Sequence, residues 1–201
     1  MQFVDPEVSR KKFEQEISLF EGVADAQRRR GVIMLESKFP NACFAFSATN
    51  LTPPAIAFAV RFNFDNYDLL PISIKFINPF TFESLKQDQI PVQFLRNIGP
   101  PDQPINPLSP QVQALLQQEP SPEALPFLCI PGVREYHDHP AHSGDSWLLH
   151  RKNCSEGSLG YLIDKLHQYG ISSIGSYNVL VQVQASAFQA RLGLNPQSIP
   201  I

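Results

Sequence analysis

Between Cys129 and Arg151 the chain gathers a thiol, the carboxylate of Glu135, and four of its five histidines around its one tryptophan, Trp147. Two chemistries suit this set. His137-x-His139-x-x-His142 brings three imidazoles to one loop, and the Cys129 thiolate or the Glu135 carboxylate would complete a tetrahedral zinc site. The spacing is not that of a standard zinc finger. Alternatively Cys129 is a nucleophile: it follows the apolar pair Phe127-Leu128 and precedes a Pro131-Gly132 turn, which would leave its thiol at an exposed strand end. A thiolate attacks, so a positive neighbour that lowers its pKa would help, and Arg134 or a protonated histidine would supply one. Glu135 or a nearby histidine, His137 first among them, would then serve as the base. The two chemistries compete for one sulfur, and a solvated polar loop is the plain alternative to both.

The elements that must position this segment are readable from periodicity. Asp5 can cap a first helix, with Pro6 at its first position, where a missing N–H costs nothing. Phe13, Ile17, Phe20 and Ala24 recur along one face of it. Gly31 ends that element or opens the turn after it. Strands follow at 32–39 and 42–48, separated by the turn pair Pro40-Asn41. Ile56, Phe58, Val60, Phe62 and Phe64 alternate strictly, and so do Ile72, Ile74 and Phe76 after a turn at Asp65-Asn66. This is one helix followed by a four-stranded antiparallel meander.

From about 78 to 126, closely spaced prolines make a continuous sheet or a long helix improbable. A short helix is expected at 110–118, where Val112, Leu115 and Leu116 share a face. The insertion is expected to be a packed surface loop, with a lid or a partner-binding surface as the alternative. Ser155 is expected to cap a second clear helix carrying Leu159, Leu162, Ile163 and Leu166, with Gly170 at its end. Tyr177, Val179, Val181 and Val183 alternate as a last strand, and 185–194 is read as a short helix. The whole, residues 1–201, is expected to be a single α/β (α+β) domain.

The order of these elements, helix, meander, irregular region, cysteine and helix, resembles the ubiquitin-conjugating (UBC) fold. A local match supports the resemblance. In that family a tyrosine opens the turn after the third strand, with proline at plus four, an aliphatic at plus seven and phenylalanine at plus nine. Tyr67, Pro71, Ile74 and Phe76 stand in those places, with Ile72 where a second proline is usual. The His-Pro-Asn tripeptide after the fourth strand is absent; Ile77-Asn78-Pro79-Phe80 stands there, and the gap to Cys129 is longer than usual. The histidine segment is also similar to a bacterial family described as a predicted metal-binding domain, named for a Cys, a Glu and two His. That family occurs beside genes for ubiquitin-like proteins, their activating enzymes and isopeptidases. Cys129 and Glu135 would be its Cys and Glu, and two of His137, His139 and His142 its histidines.

These resemblances imply a conjugating-enzyme-like carrier. Cys129 would accept the carboxyl terminus of a ubiquitin-like modifier from an activating enzyme as a thioester and pass it to an amine, with no cofactor required. The alternative is a zinc-binding accessory or structural protein of the same pathway. His137-x-His139-Pro140 also resembles the motif of metal-dependent isopeptidases, but Asp145 lies too close to complete that set and no upstream Glu is well placed. Trp147 is expected to pack in the core, and Cys43, alternating with apolar residues in a strand, to behave as a small hydrophobe. Cys154, just before a helix, is a second nucleophile candidate.

Composition narrows the class. Charged residues make up 17% and hydrophobic ones 43% of 201 residues, enough to bury a core. The net charge of -3 argues against nucleic acid as a partner, because phosphate neutralisation needs clustered cations. The one basic run, Arg28-Arg29-Arg30, reads as a solvated helix end. Three cysteines without a dense framework suggest a reducing cytoplasm. No secretory leader is visible at Met1–Asp5, and no apolar run is long enough for a membrane.

Overall fold

The computed structural model describes residues 3–99, 111–118, 121, 124–142, 144–151, 155–172, 174–184 and 187–196. Helix α1 spans Pro6–Glu21 and starts as its sequence predicts. The Asp5 carboxylate accepts the N–H of Glu7 at 2.9 Å, and Pro6 occupies the first turn. Phe13, Ile17 and Phe20 form its buried stripe. A short helix α2, Ala24–Arg29, carries the basic run at its C-terminal end, where Arg28 pairs with Asp25 and Arg30 with Asp164. Gly31 follows with φ +86°; its carbonyl accepts the N–H of Ser47, and a Cβ there would lie 2.1 Å from the Ser47 oxygen. No L residue other than glycine fits that approach.

Strands β1 (Val32–Lys38), β2 (Asn41–Ala48), β3 (Ala55–Asn63) and β4 (Ser73–Ile77) form the expected antiparallel meander in the order β1-β2-β3-β4. Register puts Phe44 opposite Val60, Phe46 opposite Phe58 and Val60 opposite Phe76, so the aromatic residues share one face. Helix α1 lies on that face through edge-to-face pairs, Phe13 with Phe64 at 5.0 Å and Phe20 with Phe44 at 4.9 Å. Truncating one such ring to alanine costs about 3–5 kcal/mol. On the other face Cys43, Ala45, Ala59 and Ile77 form a smaller cluster with Phe82, and the Cys43 thiol is buried there as expected.

Two short helices, α3 (Arg134–Asp138) and α4 (Trp147–Arg151), precede helix α5, Leu159–Gly170, which packs beside α1 on the aromatic face. Its cap is Ser158, whose hydroxyl accepts the N–H of Tyr161 at 3.2 Å, and not Ser155 as expected. Two residues, Glu156 and Gly157, separate the two serines, and helical periodicity does not say which one the backbone enters from. The Glu16 carboxylate ties the helices to the meander, accepting the hydroxyl of Tyr67 and the N–H of Leu159. Burial raises its pKa above the ordinary value.

The proline-rich insertion departs from the surface-loop expectation. Ile90, Val92, Phe94, Leu115 and Leu116 enter the main core, and β5 (Leu95–Asn97) pairs with β6 (Val112–Ala114). The helix expected at 110–118 is not formed. Instead β6 is followed by β7 (Leu116–Gln117), which pairs with β8 (Phe127–Leu128). The apolar spacing there fits either period, and pairing decided it. The last stretch differs as well. Strand β9 (Ile174–Gln184) pairs with β10 (Ala187–Pro196), so of the helix expected at 185–194 the described part, 187–194, is strand. Phe188, Ala190, Leu192 and Leu194 recur at period two, which suits a ribbon. The chain is thus a mixed α+β fold on a four-stranded antiparallel sheet. No described helix is long and apolar enough to cross a membrane.

Candidate active site

The site is built on the edge of β4. Ile72 bridges to Val133 in parallel, and helix α3, Arg134–Asp138, starts from that bridge. The Arg134 N–H donates to the Ile72 carbonyl at 3.0 Å, and its guanidinium donates to the carbonyls of Pro71 and Asp65. Glu135 accepts the Ser73 hydroxyl and, at 3.3 Å, the N–H of Ile74. Both side chains therefore dock α3 on the sheet edge. Arg134 is not the cation beside Cys129, and Glu135 is not its base: their polar atoms are committed to backbone and hydroxyl partners.

Cys129 follows β8, and its N–H donates to the Leu115 carbonyl at 2.7 Å, so the insertion forms one wall of the site. The thiol is 4% exposed, covered rather than standing at an open strand end. Its side-chain partner is His142: Sγ and Nε2 lie 3.3 Å apart. Burial pushes the thiol pKa up, and the guanidinium of Arg96, on β5, opposes that shift. Arg96 donates from Nη2 to Gln113, while its Nε is buried without a hydrogen-bond partner among the described residues.

His137 also departs from expectation. Its Nε2 accepts the N–H of Gly132 at 3.1 Å, and its Nδ1 donates to the Asp145 carbonyl at 2.8 Å. Both nitrogens are used inside the loop, which fixes the neutral Nδ1–H tautomer and leaves none for a proton on Cys129. Burial lowers its pKa accordingly. His139 accepts the N–H of Ala141 and tilts over Phe127, its ring centroid 5.4 Å away. The expected zinc ligands Cys129, Glu135, His137, His139 and His142 are thus dispersed. Among the described residues no three His, Cys, Asp or Glu side chains converge to hold a metal ion. Of the set, Cys129 and His142 come within hydrogen-bond distance, and the His139 ring lies 5.8 Å from that of His142, centroid to centroid.

Around His142 lies a polar network that sequence reasoning missed. Tyr136 stacks on the imidazole, with ring centroids 3.9 Å apart and planes at 26°. Its hydroxyl donates to Asp145 Oδ2 at 2.6 Å. Asp145 Oδ1 faces His150 Nε2 at 2.5 Å, and His150 Nδ1 faces Glu156 at 2.7 Å. The Tyr136 and His150 hydrogen bonds hold the Asp145 carboxyl below its ordinary pKa, while Asp145 and then Glu156 raise that of His150. Burial and the Asp145 bond push the Tyr136 phenol up to about 12. Helix α4, Trp147–Arg151, closes the loop. Trp147 is buried as expected, donating from Nε1 to the Asp68 carbonyl and packing on Gly157.

Arg96 was invisible from sequence because strand pairing across the insertion brings it to the thiol. Tyr136 lies six residues before His142, and only the turn at Pro140 folds the two rings together. Asn78 accepts the N–H groups of Phe80 and Thr81 and so caps its own turn. Cys154 lies outside the described residues.

Comparison with known proteins gives two findings. The family model described as Y4jH-like, the Y4jH family, matches residues 4–174. A protein of Sinorhizobium fredii (strain NBRC 101917 / NGR234), described as uncharacterized protein y4jH, is 41% identical over 206 residues, spanning 100% of this chain and 98% of that one.

Proposed function

Taking as premise that the chain belongs to the Y4jH family, we propose that it is a thiol-dependent acyl transferase with Cys129 as nucleophile and His142 as its proton acceptor. The observation that carries this reading is the 3.3 Å approach of Cys129 Sγ to His142 Nε2. His142 takes the thiol proton, and the thiolate attacks the carbonyl carbon of an acyl thioester. A new C–S bond forms, the donor C–S bond breaks, and the departing thiolate takes the proton from the imidazolium. An amine then attacks the same carbonyl, the C–N bond forms, and Cys129 leaves as thiolate and is reprotonated as the amine loses a proton. Arg96 stabilises the anionic sulfur at both stages.

In its specific form the proposal is a UBC-like carrier of a ubiquitin-like modifier, loaded by an activating enzyme in a bacterial cytosol. Support comes from α1 followed by the four-stranded meander, from the Tyr67 turn, and from the helix α5 that follows the cysteine. The covered thiol favours an extended acyl tail over a folded surface as donor.

The test is incubation with a synthetic peptide thioester ending in glycine, followed by intact-mass measurement. The expected result is one peptide adduct, released by hydroxylamine, absent in C129A and slower to form in H142A. Equal labelling of C129A, or no adduct on a protein whose Cys129 alkylates normally, would overturn the proposal.

A further inference from the structure

Where a histidine pairs with a catalytic thiol, a third group commonly orients the imidazole by bonding its other nitrogen. Among the described residues no such bond to His142 Nδ1 is found. The ring is held by its face instead. Tyr136 lies nearly parallel to it at 3.9 Å, and the Tyr136 hydroxyl is tethered to Asp145 at 2.6 Å. Asp145 is itself fixed on three sides. Its N–H donates to the His142 carbonyl, its carbonyl accepts from His137 Nδ1, and its second carboxylate oxygen faces His150, which Glu156 holds from behind.

We infer that Tyr136 is a positioning residue for the Cys129–His142 pair, with Asp145 as its anchor. This rests on the reading of that pair as the reacting groups. The face of a tyrosine ring carries negative quadrupole density and attracts a cation. When His142 takes the thiol proton it becomes an imidazolium over that face, so stacking favours the thiolate–imidazolium form over the neutral pair. The hydroxyl donates to a carboxylate, which makes the ring more electron-rich. With its phenol titrating near 12 and Asp145 held ionised, this arrangement persists across neutral pH. Among the described residues, the groups facing His142 are thus Cys129, Tyr136 and, at a centroid distance of 5.8 Å, His139, with Asp145 behind Tyr136, His150 behind Asp145 and Glu156 behind His150.

The measurement is the pH–rate profile for alkylation of Cys129 by iodoacetamide in the full chain, with the labelled cysteine identified by peptide mapping. The variants are H142A, Y136L and Y136F, each checked for an unchanged urea unfolding midpoint. H142A is expected to move the profile to higher pH. Y136L is expected to follow it, with labelling at pH 7 about tenfold slower than wild type. Y136F keeps the ring face and loses the tether, so its rate should fall between wild type and Y136L. In the double variant Y136L/H142A no further slowing is expected, because the stack acts through the imidazole. If H142A shifts the profile and Y136L leaves it at the wild-type position, Tyr136 has no positioning role. If H142A itself leaves the profile unmoved, the reacting pair falls, and the role of Tyr136 with it. Should Y136L lower the unfolding midpoint, Y136F and the double variant decide the matter by the same profile.

Discussion

Glu135 closes the open edge of β4 by accepting the hydroxyl of Ser73, and its second oxygen takes the N–H of Ile74. An edge strand presents unpaired backbone groups, and a carboxylate from an adjoining helix satisfies one of them here. This makes the first acid after the candidate nucleophile a structural residue. In E135A the Ile74 N–H and the Ser73 hydroxyl lose their acceptor, at about 1–3 kcal/mol. The unfolding free energy from urea titration should fall by that amount while the Cys129 pH–rate profile keeps its position. A profile displaced as far as that of H142A would return Glu135 to the chemistry.

The contrast between Glu135 and Phe62 shows what the sequence could convey. Phe62 belongs to a strict alternation, and alternation alone put it on the buried face of a strand, where it lies opposite Ile74. The α1 stripe was legible for the same reason, as was the meander. Those elements have a period that matches their geometry. Glu135, His137 and His142 sit in a loop without a period, so residue type marked them as reactive while direction stayed hidden. One of the three, His142, is the one whose ring nitrogen approaches the Cys129 sulfur. Leu115, which accepts the Cys129 N–H, and Arg96, whose charge acts on the thiol, are brought there by pairings across a proline-rich stretch, where short strands leave almost no trace in composition.

Gly170 separates helix propensity from packing. Alanine is about 1 kcal/mol better than glycine within a helix. At Gly170, however, an added Cβ would lie 2.6 Å from ring carbons of both Phe58 and Phe94. Both rings are buried in the core, so neither can swing away freely, and overpacking costs about 1–3 kcal/mol. G170A should therefore be neutral to destabilised by about 2 kcal/mol in urea. A clear gain in stability would show that the rings yield more readily than close packing allows.

Two histidines in the site should pull stability in opposite directions with pH. His150 has its pKa raised by Asp145 and Glu156, so its contribution is complete below the unfolded value and is lost as pH rises through the folded one. His137 has its pKa lowered by burial, so its contribution is complete above the unfolded value, about 6.5, and is lost as pH falls through the folded one. The urea midpoint of wild type should decline on both sides. H150Q should flatten the decline above neutrality and leave the acid limb, whereas H137Q should flatten part of the acid limb. Unfolding curves measured from pH 5 to 9 separate the two; identical curves for H150Q and wild type would show that the double carboxylate contact contributes nothing.

Arg96 gives the most direct test of the electrostatics at Cys129. A cation near a covered sulfur favours the thiolate, and it counts for more where water is excluded. The guanidinium opposes the upward push that burial gives the thiol, so its removal leaves that push uncompensated. In R96M the alkylation profile of Cys129 should move to higher pH, and the rate at pH 7.5 should fall several-fold. R96K restores the charge but not the planar fork that reaches Gln113, so it should recover part of the rate. Stability should fall by about 0.5–1.5 kcal/mol for the lost Nη2 bond to Gln113, whereas the Nε that methionine also removes has no hydrogen-bond partner among the described residues. An R96M profile lying on that of wild type would place the cation too far from the sulfur to act, and would leave His142 as the group that sets the reactivity of Cys129.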